Sequence, residues 1–308
     1  MLSKTCRDED FFKVFKKLKH EQSLDLPNNN KLEMYYAKIM NNKFEYTALI
    51  DLLSNNITNY VFSRKENIEA SEKNKIQTLT IKAIKEFRKI KNDNDSGSGG
   101  ELGEFLLYTF LESRLNAFKL LSKMELKTNA SDYVKGADGI YLYEYEDEKK
   151  QNHFEYIIGE AKIEGTSSEA IKDAIDSILT HLKNENFEKE LVNREIFKET
   201  FSEEEVEKIR KILVPRQDDE DMDIQKAFGI FIGYGIDKSL NLEGISNADG
   251  KKLIEERMKK DIKNICKNMK KKIKDKNLNN YSFYVYVMPF KNAKEDRKKI
   301  LKNMAIGD

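Results

Sequence analysis

Ile157-Ile158-Gly159-Glu160-Ala161-Lys162 decides how this chain is read. An apolar run is broken by a carboxylate, a small residue and a lysine. Read as a strand over residues 154–163, the segment sends alternate side chains to opposite faces, so Glu160 and Lys162 share one face. A polar pair at the end of an apolar strand must reach water, a metal or a substrate, because an unpaired buried charge is costly.

Upstream, Ala137-Asp138-Gly139-Ile140-Tyr141-Leu142 predicts the start of a second strand, with Asp138 at its beginning between Gly136 and Gly139. Glycine on both sides of a carboxylate points to tight backbone geometry. Asp138 precedes Glu160 by 22 residues, room for one hairpin turning near residues 146–152. An aspartate followed by Glu-x-Lys on the next strand is the arrangement of a PD-(D/E)xK phosphodiesterase core. That chemistry needs these residue types. Mg²⁺ takes hard oxygen ligands, which Asp138, Glu160 and the Ala161 carbonyl can supply. The ion activates water and neutralises charge on the phosphate. Lys162 places a mobile point charge beside it. A further carboxylate, Glu104, falls in Glu101-Leu102-Gly103-Glu104 at the start of a predicted helix over 101–121. Acids in a first helical turn are also favoured by the helix dipole, with no catalytic reason needed. Likewise, Glu160 and Lys162 can form a structural ion pair.

The rest of the chain sets the frame. It has 308 residues, 35% charged and 39% apolar, with a net charge of +1. That balance neither demands nor excludes nucleic acid. No run of about 18 apolar residues predicts a membrane span, and the start lacks an apolar signal region. Cys6 and Cys266 form no disulfide framework and no metal spacing. The expectation is a cytoplasmic protein.

Two parts are expected: a helical N-terminal subdomain, 1–95, and a domain over 101–308. The first shows helix-like apolar spacing at Phe11, Phe12, Val14, Phe15 and Leu18, then over 34–37, 46–62 and 71–90. The run 92–100, rich in Asn, Asp, Ser and Gly, reads as a linker. Beyond it a short strand is expected at 124–128, then the two site-bearing strands. A helix follows over about 168–186, capped by Ser167 or Ser168, with Ser177 and His181 as possible substrate contacts. Strands are expected at 227–235 and 281–290. The fold class is thus α+β, a central mixed sheet flanked by helices. Asp218-Asp219-Glu220-Asp221 reads as a solvated loop. Residues 251–276 hold twelve Lys or Arg against four Asp or Glu on an amphipathic helix. This is either a solvated face or one that tracks phosphates.

The middle of the chain resembles the HamA family of Hachiman anti-phage defence systems. The likeness is carried by Gly103-Glu104-Phe105-Leu106-Leu107, Gly136-Ala137-Asp138-Gly139-Ile140, Gly159-Glu160-Ala161-Lys162, and Ala174-Ile175-Asp176-Ser177-Ile178 leading to His181-Leu182. Tyr60-Val61-Phe62-Ser63-Arg64-Lys65 is similar too. The resemblance implies a Mg²⁺- or Mn²⁺-dependent DNA endonuclease working with a superfamily 2 helicase, HamB, as a heterodimer. It implies catalytic roles for Asp138, Glu160, Lys162 and Glu104. Two other expectations stay open: a catalytically silent regulatory or DNA-binding subunit of a helicase complex, and an RNase with the same core.

Overall fold

The computed structural model describes residues 4–9, 11–93, 100–128, 137–183, 200–214, 216, 224–236, 240 and 242–305. In chain order the elements are α1 (Phe11–Val14), β1 (Phe15–Lys17), β2 (Asn30–Ala37), β3 (Ile39–Met40), β4 (Lys43–Phe44), α2 (Thr47–Val61), α3 (Arg64–Glu72) and α4 (Ile76–Asp93). Then come α5 (Glu101–Phe110), β5 (Phe118–Ser122), α6 (Lys123–Thr128), β6 (Gly139–Glu146), β7 (Asn152–Glu164) and α7 (Ser167–His181). Last are α8 (Glu203–Leu213), β8 (Ile224–Gly235), α9 (Asn247–Asp275), β9 (Ser282–Phe290) and α10 (Ala293–Ala305).

Seven strands form one mixed sheet in the order β1-β2-β9-β8-β7-β6-β5. β5, β6 and β7 make an antiparallel meander, whereas β7, β8, β9 and β2 run parallel. The parallel steps from β7 to β8 and from β8 to β9 need crossovers, and these carry α7 and α9. Both faces are covered, which explains why β7 is buried without interruption from Phe154 to Ala161. On one face Ile158, Ile230 and Val285 pack with Ile171 and Ile175 of α7 and with Met258, Ile262 and Met269 of α9. On the other, Ile157, Ala161 and Phe231 pack with Leu102, Phe105 and Leu106 of α5. All ten residues of α5 are buried.

The mixed sheet with flanking helices is the expected fold class, but several local expectations fail. Residues 15–17, 30–37, 39–40 and 43–44 are strand rather than helix. Tyr35, Tyr36 and Ala37 are all buried, so β2 lacks the alternation that marks a half-exposed strand and mimics a helical face. β2 hydrogen-bonds in parallel to β9, so this N-terminal segment contributes to the same sheet as β7. The helix expected over 101–121 ends at Phe110, followed by a π-helical turn at Leu111–Leu115. Asn116 then takes a left-handed conformation, φ 60°, which Asn tolerates better than most residues, and β5 begins. The strand expected at 124–128 is instead α6. Thr166, not Ser167 or Ser168, caps α7, in a capping box with Glu169. Gly136, residues 94–99 and the acidic run 218–221 lie outside the described residues.

Candidate active site

The site forms where β6 begins, because the ladder between β6 and β7 stops there. Gly139 pairs with Gly159, and the Asp138 amide donates to the Gly159 carbonyl at 2.9 Å. Past that point the β6–β7 ladder does not continue among the described residues. The Ala161 amide donates instead to Asp138 Oδ2 at 2.8 Å, which satisfies a buried N–H and fixes the carboxylate beside Glu160. α5 brings Glu104 to the same place. A Cβ on Gly103 would lie 3.3 Å from the Ala161 Cβ, and one on Gly159 would lie 3.0 Å from Leu107 Cδ2. Glycine before each glutamate therefore lets helix and strand approach closely.

Lys123, the first residue of α6, joins these parts. Its ammonium donates to Glu104 Oε1 at 2.9 Å and to Asp138 Oδ1 at 2.7 Å. Lys162 Nζ donates to Glu160 Oε1 at 2.6 Å. Tyr60 of α2 donates its hydroxyl to Glu104 Oε2 at 3.3 Å, and its ring stacks on Phe105. The three carboxylate side chains are 4–7% exposed, the two lysine side chains 26–30%. The pocket thus has an acidic floor and a cationic rim.

The floor carries more negative charge than the rim balances. Burial, and then the Asp138 charge, push the Glu160 carboxyl up to about 8 against the pull of Lys162. Burial works to lower Lys123, yet Asp138 and Glu104 together hold its ammonium well above the usual lysine range. Burial works the same way on Lys162, and Glu160 outweighs it, so its pKa is raised too. A buried carboxylate that can shed its charge only by taking a proton is a place where an added cation is favourable. In donor type the set fits a hard divalent ion: Asp138, Glu160 and Glu104 offer buried carboxylate oxygens, and Ala161 lies between Glu160 and Lys162 on the same strand. In spacing, the point between Glu104 and Asp138 belongs to the Lys123 ammonium. Among the described residues, no three acidic, His or Cys side chains stand together at metal-holding distance.

Of the four residues expected at the site, Glu104 and Asp138 are joined through Lys123, Lys162 pairs with Glu160, and the two groups meet where the Ala161 amide donates to Asp138. Glu101 is also buried, in the first turn of α5. Ser177 and His181 lie on α7, and His181 is buried in its last turn. Sequence reasoning missed Lys123 and Tyr60. The signal for Lys123 was present: Ser122-Lys123-Met124-Glu125 has capping-box spacing. The box forms, with Glu125 accepting from the Ser122 amide at 2.6 Å and the Ser122 hydroxyl accepting from the Glu125 amide at 3.2 Å. It starts α6 at Lys123 and aims that side chain at the acids. Tyr60 carries no comparable signal; it reads as one more apolar position of α2.

No described helix is long and apolar enough to cross a membrane. A comparison with curated proteins returns no match. The family model named HamA matches residues 11–304, nearly the whole chain, and so covers both the site and the sheet beneath it. The chain belongs to the HamA family, which gives it a defence-related role of the Hachiman kind.

Proposed function

We propose that this chain is a metal-dependent DNA endonuclease subunit, acting with a superfamily 2 helicase partner in anti-phage defence. One observation carries the reading: Asp138 accepts from the Ala161 amide, next along β7 from Glu160, with Lys162 on Glu160 and Glu104 tied to Asp138 through Lys123. Family membership supports the setting. Asp138, Glu160, the Ala161 carbonyl and Glu104 would hold Mg²⁺ or Mn²⁺. When bound, the ion supplies Lewis acidity to the phosphate and makes water a better nucleophile. The chain's own groups do the rest. Lys162, on the rim, presents its ammonium to the oxygens on which charge grows. Asp138 is held rigidly by the Ala161 amide. Lys123 keeps Glu104 and Asp138 together before substrate arrives.

The test is cleavage of labelled duplex DNA, single-stranded DNA and RNA with Mg²⁺, by the chain alone and by the complex it purifies with. Glu160→Ala and Lys162→Ala, each made singly, should abolish metal-dependent DNA cutting while the fold persists. Normal cutting by both variants would defeat the assignment. A second reading, a silent subunit that only binds DNA or a helicase, is favoured by Lys123 standing between two of the acids. Absence of cleavage in both chain and complex would support it, and cutting confined to RNA would make the protein an RNase.

A further inference from the structure

The lysines of α9 are not evenly scattered. Ile254, Met258, Ile262, Ile265, Met269 and Ile273 bury one face of this helix. On the opposite face Lys260, Lys263, Lys267, Lys271 and Lys274 are exposed and follow one another at steps of three or four residues. They form a single stripe, about 21 Å long at 1.5 Å per residue. Three other basic residues of α9 sit beside acids: Lys251 faces Glu255, Arg257 binds Asp261 at 2.8 Å, and Lys270 pairs with Asp25. Among the described residues, none of the five stripe lysines has a carboxylate partner. Like charges three and four residues apart weaken a helix, so the stripe is held in place by the buried face and not by its own interactions. The whole chain is nearly neutral at +1, which makes this a local segregation of charge.

We infer that the α9 stripe is a docking surface for the sugar-phosphate backbone of duplex DNA. The inference rests on the nucleic-acid reading of the site but not on its chemistry. Three features favour this partner. The stripe is lysine only, which neutralises phosphates as point charges without the planar fork that reads base edges. It holds no aromatic ring, so it lacks the stacking platform that single strands use. Lysine is depleted at the centre of protein interfaces, which disfavours an acidic protein partner. One strand of a duplex presents a phosphate about every 3.4 Å along the axis, so a row of this length spans about six phosphates, close to the five charges available. Its position suits the task. The Asn268 amide donates to the Ser168 hydroxyl at 3.4 Å, which places mid-α9 against the first turn of α7, just past the end of β7. α9 also covers the sheet face that Ile158 occupies, the face that Glu160 and Lys162 share by alternation.

The test measures binding of the full chain to a fluorescein-labelled 30-base-pair DNA in EDTA, between 50 and 200 mM salt, so that cleavage does not enter. Five neutralised phosphates give a slope of log K against log salt of about −4 to −5. The variant with all five lysines changed to Gln should lose most of that slope and, at 50 mM salt, at least 100-fold in affinity. The variant with all five changed to Arg should keep the wild-type slope. Unchanged affinity and slope in the Gln variant would overturn the inference, as would equal loss in the Arg variant. Loss of polyglutamate binding with duplex binding intact would overturn it as well. None of these outcomes bears on whether Glu160 and Lys162 cut DNA, which the cleavage assay decides separately.

Discussion

Lys123→Met removes the ammonium shared by Glu104 and Asp138 while keeping the aliphatic stem. Breaking a fully buried pair costs about 3–5 kcal/mol. Lys123 retains 30% exposure of its side chain, so solvent screening brings the expected loss to about 2–3 kcal/mol. At about 2 °C per kcal/mol for a chain of this size, the melting midpoint should fall by about 4–6 °C in EDTA at pH 7.5. The sign with pH follows from linkage. The lysine pKa is raised in the folded chain. Its contribution is therefore fully present below the ordinary value of 10.5 and is lost only as pH rises through the raised one. In the wild type it is constant from pH 5 to 9. The deficit that loss of Lys123 sets should therefore hold steady across that range. Saturating Mn²⁺ should also narrow the gap, because an ion at about 100 times its dissociation constant returns about 2.7 kcal/mol. Differential scanning fluorimetry across pH and Mn²⁺ measures all three effects. A drop under 1 °C would show that the bridge is no stronger than a surface pair, and an equal Mn²⁺ response in both proteins would show that ammonium and metal do not compete.

Other perturbations follow from the same contacts. The Glu160 carboxyl rises from 4.5 to about 8 on folding, so its stabilising contribution is complete below about pH 4.5 and disappears as pH climbs through 8. Glu160→Gln should flatten metal-free stability over that window, with a gain at pH 8.5 on the order of 4 kcal/mol; urea titrations that find parallel pH profiles would contradict it. Gly159→Ala puts a Cβ 3.0 Å from Leu107 Cδ2 and 3.1 Å from the Gly139 carbonyl oxygen. Backbone cannot yield cheaply there, so chemical denaturation should register a loss of about 1–3 kcal/mol, and a neutral result would refute the close-approach argument. Lys119→Met removes the ammonium that pairs with Glu125 at 3.0 Å, where both side chains are buried. It also vacates the Asn59 and Phe62 carbonyls. The expected cost is about 3–5 kcal/mol, read by the same titration, and a change under 1 kcal/mol would rule it out.

The parts of the fold legible in the sequence were those with one solvent-facing side or a clear break. β9 and β7 announced themselves as strands bounded by turns, and α9 by its amphipathic spacing. β2 was not legible, because burial on both sides erased its period and its partner β9 lies some 250 residues away. The helix at 101–110 was visible but its end was not: the π turn keeps apolar residues arriving at helical spacing up to Leu115. At the candidate site, the shared face of Glu160 and Lys162 was readable from strand parity, and the place of Asp138 from its position at the start of β6. Glu104 was readable only as one of two acids in a first turn; contact with Lys123 distinguishes it. Lys123 itself fell between the helix expected to end at 121 and the strand expected from 124, an error that the capping spacing of Ser122 and Glu125 would have corrected.

The proposed nuclease needs a divalent ion held between Asp138 and Glu160. Crystals soaked in Mn²⁺ and measured for anomalous scattering test it most directly. A manganese peak is expected in contact with both carboxylates, with the Lys123 ammonium moved off Asp138. A pocket without such a peak, with Lys123 still bridging Glu104 and Asp138 in saturating Mn²⁺, would contradict it.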